Sequence, residues 1–407
     1  MAESRPRLLV LASTYPRWHD DHEPGFVHAL CRRLVDDFEI VVGTPHVAGA
    51  AREEIMDGVH VFRYRYAPEA WQTLVHGGGI VANLRRHGWK LALVPGFLLA
   101  QCWQARRLQR RFQPALIHAH WLFPQGLAAA FAAPARYAVT SHGGDLYGLR
   151  GAIFRLVKAR VARKARALAV VSRAMRAPMQ ALAGPAARIE VLPMGVDLTG
   201  RFYPDPGVPP RGLLFVGRLV EKKGLDVLLR ALPAVVRQRP GLELTVIGEG
   251  PMREPWQALA ASLGLTGRVR FLGARRSDEL PAFYRAAEVF VAPFVRAASG
   301  DQEGLGLVLV EALGCGCPVV VSELPACADV HQGMEGVLTV PPGDPEALAA
   351  NLMLALQIRE RLQTAVLAAQ PLLRARFGWD AVASRYAEWL RRAMAVPADA
   401  TKQAVHD

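Results

Sequence analysis

Acidic residues are nearly missing from one long stretch of this sequence: between residues 58 and 189 only Glu69 and Asp145 occur. Residues 1–205 hold 27 Lys and Arg against 15 Asp and Glu, net +12, whereas residues 206–407 hold 22 against 21, net +1, together the chain's +13. The positive excess therefore belongs to the amino-terminal half and points to anionic partners there. Nucleic acid is not expected among them, because no zinc-finger, RRM or KH pattern is present and aromatics do not interleave with the basic run. Cysteine is scarce and odd in number. The five, Cys31, Cys102, Cys315, Cys317 and Cys327, include no C-x-x-C pair, which argues against a disulfide framework or a zinc knuckle and for small buried thiols in a reducing compartment. Cys315 and Cys317 have no histidine at ligand spacing and only Glu311 as a nearby carboxylate, so metal ligation is not expected. Long apolar runs are also lacking. The longest, Leu91 to Trp103, is too short to span a bilayer and reads as a buried or surface-lying helix. Met1 to Arg7 leads straight into an apolar strand without a cleavage-site pattern, and a cytoplasmic chain is expected.

What the sequence does have is a strand-helix rhythm. Hydrophobic residues make up 51% of 407 positions, enough for a folded chain of two domains. Short apolar segments at 7–13, 38–43, 59–64, 115–119, 136–140, 167–171 and 189–192 alternate with helical stretches, which predicts a parallel α/β domain over residues 1–200. The segment FYPDPGVPPRG, 202–212, carries four prolines and reads as a hinge before a second domain over 201–378. Residues 345–369 and 379–395 are helical by periodicity.

The segment SGDQEGLGLVLVEALGCGCP sets Glu303 and Glu311 eight residues apart across a glycine-punctured apolar run. A turn at Gly304 and Gly306 that opens a helix near Leu307 places Glu311 in its first turns and Glu303 on the loop before it. Free N–H groups at the helix start suit a phosphate, and the two carboxylates suit vicinal sugar hydroxyls. The plain alternative is a buried helix start with a capping acid and a solvated one. Two further segments weigh against it. LLFVGRLVEKKG runs from a strand through Gly217 and Arg218 to Lys223, a phosphate clamp in outline, and later strands close on Gly248, Gly250 and Gly273. In doubly wound sheets that edge binds ligands.

The order GRLVEKKGLDVLLRAL, VIGEGP, FLG, ELPAFYRAAEVFVAPF, E-x7-E and GCPVVVSELPACADV resembles the carboxyl half of the large retaining glycosyltransferase family four, of the GT-B fold. The likeness is close over residues 210–360. It is looser in the amino half, through STYPRWHDDHEPGFV, HAHWLFPQG, TSHGGDLYG, VVSRAM and VLPMGVD. The resemblance implies two Rossmann-like parallel-sheet domains facing a central cleft, the first for the acceptor and the second for the donor, with the last helix returning to the first domain and a disordered tail PADATKQAVHD. It also implies transfer of a sugar from a nucleotide-sugar donor to a glycan or lipid-linked acceptor, with retention. Arg218 and Lys223 then face the diphosphate, with the amides of Gly306 and Leu307; Glu311 takes the ribose and Glu303 the donor sugar. No acid is placed as a covalent nucleophile. With protein cations at the phosphates and no D-x-D pair, no metal or cofactor is expected.

On the acceptor side, the resemblance puts His142, at the end of the strand RYAVTS, beside donor sugar and acceptor. Asp145 could orient His142 or bind a hydroxyl, with an N-cap as the alternative. His120 could line the same cleft; buried packing explains His118 equally well. The loop before the first helix keeps only Gly25 of the family's commoner glycine pair, and Pro24 ahead of it reads as a tight turn. A nucleotide-sugar epimerase of the same fold and a non-enzymatic basic membrane- or polyanion-binding protein stand as alternatives.

The segment RGAIFRLVKARVARKARA places Arg150, Arg155, Lys158, Arg160, Arg163, Lys164 and Arg166 around Ile153, Phe154, Val157 and Val161. One reading is a helix lying on an anionic membrane, peripheral at the inner face of the plasma membrane. The other is a solvated basic face on a core-packed helix, or arginine enrichment from a GC-rich genome.

Overall fold

Runs of branched apolar residues, buried on both sides, make the strands of two separate sheets. The computed structural model describes residues 5–19, 21, 25–75, 79–149, 151–205 and 207–395. Pro24, Arg150 and the tail 397–407 lie outside the described residues.

The first sheet comprises β1 Arg7–Leu11, β2 Glu39–Pro45, β3 Glu53–Met56, β4 Val59–Tyr64, β5 Leu116–His120, β6 Tyr137–Ser141, β7 Ala167–Val170 and β8 Ile189–Val191, in the order β3-β4-β2-β1-β5-β6-β7-β8. Seven of these strands lie where the apolar segments predict them, and their pairings with one another are all parallel. The unforeseen one is β3, antiparallel to β4 at the sheet edge. Its sequence, EEIM, has no apolar run because only Met56 is buried. The Asp57-Gly58 turn that makes it possible, with φ of 47° and 79°, is a two-residue hairpin signal.

The second sheet comprises β9 Leu213–Val216, β10 Leu244–Ile247, β11 Val269–Phe271, β12 Val289–Ala292, β13 Val319–Ser322 and β14 Val337–Val340, all parallel, in the order β11-β10-β9-β12-β13-β14. This is the doubly wound pattern whose direction reverses between β9 and β12. The amphipathic helix Leu225–Gln238 buries Leu225, Leu228, Leu229, Leu232 and Val235 against this sheet and the helix Pro345–Gln357. In the first sheet the corresponding reversal lies between β1 and β5.

One compact unit runs to Met194 and takes in the chain from Val382; the other is Gly195–Ala381. The boundary thus falls ahead of residue 200, because Leu198 and Phe202 already pack on the second unit. Phe202 is buried edge-on to Tyr284, and both residues crowd Gly314 so closely that a Cβ there would lie 2.5 Å from Leu198 and 2.8 Å from the Phe202 carbonyl. The proline-rich segment expected as a hinge is likewise fastened to that unit: Arg285 donates to the carbonyls of Arg201 and Tyr203 at 3.0 and 2.9 Å. Helix Trp379–Ala395 starts in the second unit and from Val382 belongs to the first, where Tyr386 donates to the Leu192 carbonyl at 3.0 Å.

The basic segment forms the helix Ala152–Lys164, but not every cation on it faces water. Lys158 is buried and donates to the carbonyls of Asp145, Leu146 and Gly148 at 3.1, 3.2 and 3.1 Å. It satisfies the end of the short helix Gly144–Tyr147, so it is not part of a surface charge. Arg166 donates to the carbonyl of Ala135 at 3.0 Å. All five cysteines are free, and four are buried. Among the described residues no helix is long and apolar enough to cross a membrane.

Candidate active site

In the second unit the loops that follow β9 and β12 meet at the point where strand order reverses. After β9 the chain turns through Gly217 and exposed Arg218 to a single 3-10 turn, Glu221–Lys223, and into the helix at Leu225. Gly224 makes the entry possible: its φ is 63°, and a Cβ would lie 1.9 Å from the Pro293 carbonyl that follows β12. No side chain fits there. The Val295 N–H then donates to the Lys222 carbonyl at 2.9 Å, tying the two loops.

This tie puts Lys223 over the ring of Phe294, 4.2 Å from its centroid, and 2.7 Å from Glu303 Oε2. Both side chains are largely buried, 11% and 15% exposed, so the pair holds charge away from bulk water. Lys222 stands next to it, 3.3 Å from Asp301 Oδ1 and donating to the Gln302 carbonyl. Burial pushes the Glu303 carboxyl upward, but the charges of Lys223 and Lys222, with the hydrogen bonds from Lys223 and the Gly304 N–H, outweigh it and bring its pKa down to about 2. Glu303 is an anion at every physiological pH.

Gly306, with φ of 84° and ψ of 58°, opens the helix Leu307–Gly314 at the residue the sequence indicates. That helix is apolar but for Glu311, which burial raises to a pKa of about 7 against the hydrogen bond from Tyr284 and the charges of Lys223 and Arg201. The Tyr284 hydroxyl donates to Glu311 Oε2 at 2.8 Å. Two carboxylates one helix turn and a loop apart therefore hold opposite proton affinities. Tyr284 and Phe294 join the site unannounced by the sequence, and Gly224, which closes the basic turn before the helix, joins it as bare backbone. The tyrosine lies in ELPAFYRAAEVFVAPF without a spacing signal of its own, whereas the glycine before an apolar helical run was a visible one.

The glycines expected to contact donor have a packing role in the structure. A Cβ on Gly248 would lie 1.9 Å from the Gly217 carbonyl, and one on Gly250 would lie 2.3 Å from that of Leu219. They let the loops after β9 and β10 stack backbone on backbone, with the Leu219 N–H donating to the Glu249 carbonyl at 2.9 Å. Gly273, at φ 75°, accepts the Gly248 N–H at 2.9 Å.

In the first unit, His120 ends β5 and His142 follows β6. His120 Nδ1 and His142 Nε2 are 2.9 Å apart, with the rings stacked at 19°. Phe26 and Trp121 flank His142, with ring centroids at 5.1 and 4.9 Å. Burial and the neighbouring His118 bring His142 down to about 3, and His120 is also pushed well below the usual histidine range by burial, so both are neutral. His120 is fully buried behind His142 and Trp121, which corrects its expected place on a cleft wall. His118 is buried too, bonded to Thr140 Oγ1 at 2.9 Å.

Asp145 also departs from expectation. Its Oδ2 accepts the Leu122 N–H at 2.7 Å, and its Oδ1 accepts the Ser141 hydroxyl and the His142 backbone N–H at 2.9 and 3.2 Å. It neither touches the His142 ring nor faces outward to a hydroxyl. It is a buried clasp between the loops after β5 and β6, although its expected influence on His142 survives through the backbone. Gly25 has ordinary backbone angles, φ −89° and ψ 17°, and a Cβ there would meet Pro16 at an ordinary 3.4 Å, so nothing among the described residues demands glycine.

Two family models match the chain: "Glycosyltransferase Family 4" over residues 26–199 and "Glycosyl transferases group 1" over 210–357. The GDP-mannose-dependent alpha-(1-6)-phosphatidylinositol monomannoside mannosyltransferase of Mycobacterium tuberculosis is 32% identical over 276 residues, 65% of this chain and 71% of that protein. The amylovoran biosynthesis glycosyltransferase AmsK of Erwinia amylovora is 31% identical over 54% of this chain and 55% of its own. Among solved structures, the sucrose-phosphate synthase of Thermosynechococcus elongatus shares the fold, with a TM-score of 0.78 at 21% identity over 96% of this chain and all of that one.

Proposed function

The chain belongs to the group 1 and family 4 glycosyltransferases, and from that premise we propose that it moves a hexose from a nucleotide-diphosphate donor to a glycan or lipid-linked acceptor, with retention of anomeric configuration, in the synthesis of cell-surface polysaccharide or glycolipid. The relatives named above, one using GDP-mannose on a phosphatidylinositol mannoside and one serving amylovoran biosynthesis, support that reading. We place the reaction in the cytoplasm, at the inner face of an anionic membrane.

The observation that carries the proposal is the pairing of a buried lysine and carboxylate beside a second carboxylate of opposite proton affinity, all at the carboxyl edge of a doubly wound sheet. In the transfer, the bond from the anomeric carbon to the diphosphate breaks, a bond to the acceptor oxygen forms, and the acceptor's hydroxyl proton is released. Negative charge gathers on the leaving diphosphate. Lys223, held largely away from water, and the exposed Arg218, with the N–H groups at the start of helix Leu307–Gly314, stabilise that charge. These cations do the work that a divalent ion does elsewhere, so the reaction needs no metal. Glu311 accepts the ribose hydroxyls and the permanently ionised Glu303 those of the donor sugar. His142, neutral, serves the acceptor side.

The test is product analysis. Purified protein incubated with UDP-, GDP- and ADP-hexoses and a polyprenyl-diphosphate glycan should yield a nucleoside diphosphate and an acceptor heavier by one hexose, whose anomeric NMR signal matches the donor's configuration. Donor isomerised without acceptor, or no reaction with any nucleotide sugar, overturns it.

A further inference from the structure

Three helices form one layer on the first sheet: Leu93–Phe112 between β4 and β5, Leu127–Ala132 between β5 and β6, and Ala152–Lys164 between β6 and β7. The chain advances across the sheet in one direction through all three connections, so right-handed crossovers put them on the same face. They pack side by side, and the Arg106 guanidinium lies over the Phe131 ring of the middle helix at 5.6 Å.

The outer surface of this layer is apolar where a solvated layer is polar. Leu99 is 73% exposed, Trp103 63%, Phe131 53%, Ile153 77% and Leu156 69%. Exposed guanidiniums surround them: Arg106, Arg107 and Arg110 on one helix, Arg155, Arg160 and Arg163 on another. None of the three helices contains a single Asp or Glu. A basic face meant only for water would be interleaved with acids at i+4 spacing, and this one has no such pair to make. Trp103, Arg106, Arg107, Arg110 and Arg111 line an open depression of about 520 Å³, which presents several guanidiniums beside an aromatic ring.

We propose that this three-helix surface docks the protein on an anionic lipid bilayer, with Leu99, Trp103, Phe131, Ile153 and Leu156 entering the headgroup boundary and the arginines meeting lipid phosphates. Large exposed apolar side chains argue for a bilayer rather than a soluble polyanion, which the cations alone would satisfy. The excess of positive charge, met at its edge by Glu53 3.7 Å from Arg111, selects an anionic bilayer over a neutral one. The surface also has a direction. Each helix ends where the next strand begins, so its first turns lie at the carboxyl edge of the sheet, the edge that bears His142. Leu99, Ile153 and Leu156 lie in those early turns, Trp103 lies mid-helix and Phe131 in the last turn of its short helix, whereas Arg110, Arg111, Arg163 and Lys164 lie in the last turns of theirs. Docking by the apolar end brings the His142 edge down to the lipid surface, where the headgroup of a lipid-linked acceptor is found. This deepens the proposed function and rests on it for the identity of the acceptor, but the docking itself does not depend on it.

The experiment is vesicle flotation of the full chain at low salt, with pure phosphatidylcholine or with about a third phosphatidylglycerol added. Wild type should float with the anionic vesicles, stay in solution with the neutral ones, and be released by about 0.5 M NaCl in part, the apolar contribution remaining. Trp103→Glu/Leu156→Glu should lower the bound fraction at least tenfold, and Arg106→Glu/Arg110→Glu should do the same at low salt. All four side chains are exposed, and circular dichroism together with nucleoside diphosphate titration should show both variants folded and able to bind donor. Wild type that ignores anionic vesicles, or variants that float as well as it does, overturns the proposal. So does sedimentation showing a wild-type dimer that Trp103→Glu/Leu156→Glu dissociates, which would make the face a contact between copies of this chain. Loss of nucleotide binding in wild type would instead strike the transferase reading and leave the docking result standing.

Discussion

Lys223 Nζ lies 2.7 Å from Glu303 Oε2, and the two residues are eighty positions apart in sequence, joined only because the loops after β9 and β12 converge. Removing the cation leaves a buried carboxylate without its partner. Lys223→Met should therefore cost about 3–5 kcal/mol of stability and weaken nucleotide binding, as read from urea melts and calorimetric titration. Glu303→Gln, which leaves the buried Lys223 ammonium without its anion, should also lose stability, but it should bind nucleotide nearly as wild type does while turnover drops about 100-fold or more.

The same pair sets an acid dependence. The folded pKa of Glu303, about 2, is below its ordinary 4.5, so the stability it contributes is fully present above 4.5 and is lost as pH falls toward 2. Across that window the melting temperature of Glu303→Gln should fall less steeply than that of wild type. Parallel curves for the two proteins would show that the carboxylate is not held by the lysine.

Glu311 titrates at the other end of the range. With its pKa raised to about 7, the carboxylate proposed to accept the ribose hydroxyls is only partly formed at neutral pH. Nucleoside diphosphate affinity should rise from pH 6 to pH 8 in wild type by more than it does in Glu311→Gln, the variant's residual slope reporting the phosphate's own ionisation. Equal slopes would remove Glu311 from the site.

The histidine pair has one consistent proton arrangement. Two ring nitrogens 2.9 Å apart share one proton, and His120 Nε2 is buried without a hydrogen-bond partner. A buried lone pair costs less than a buried N–H left unpaired, so the proton sits on His120 Nδ1 and His142 carries its own on Nδ1. Nitrogen-15 spectra should show His142 as the neutral Nδ1–H form down to pH 5. An Nε2–H signal, or titration near pH 6.5, would contradict it.

The carboxyl edge of the second sheet depends on bare backbone. Gly248→Ala places a methyl where the Gly217 carbonyl already lies, at φ 138°, and should destabilise the protein by more than about 2 kcal/mol. Gly25→Ala, which meets only ordinary contact at Pro16, should melt as wild type does.

Parallel strands were legible because burial on both faces demands unbroken apolar runs, and seven of the first sheet's eight strands carry them. The edge strand β3 escaped because one buried residue suffices there, although its Asp57-Gly58 turn was in plain view. The spacing of Glu303 and Glu311 told correctly of a loop and a helix start at Leu307, since glycine punctuation fixes both. It could not tell that one acid is held ionised and the other is raised toward neutrality, because that difference comes from the Lys223 ion pair on Glu303 and from the burial of Glu311, which only folding sets. Periodicity likewise counted Lys158 among surface cations; its burial answers three carbonyls at the end of a four-residue helix, a need no local pattern announces.

The central claim, that the second unit grips the diphosphate of an activated sugar with its own cations, is tested most directly by calorimetric titration of UDP, GDP and ADP in the presence of EDTA. One of the three should bind wild type at a single site without metal, and Lys223→Ala should weaken that binding at least tenfold. Binding that requires an added divalent ion, that ignores the lysine, or that is absent for every nucleotide would contradict it.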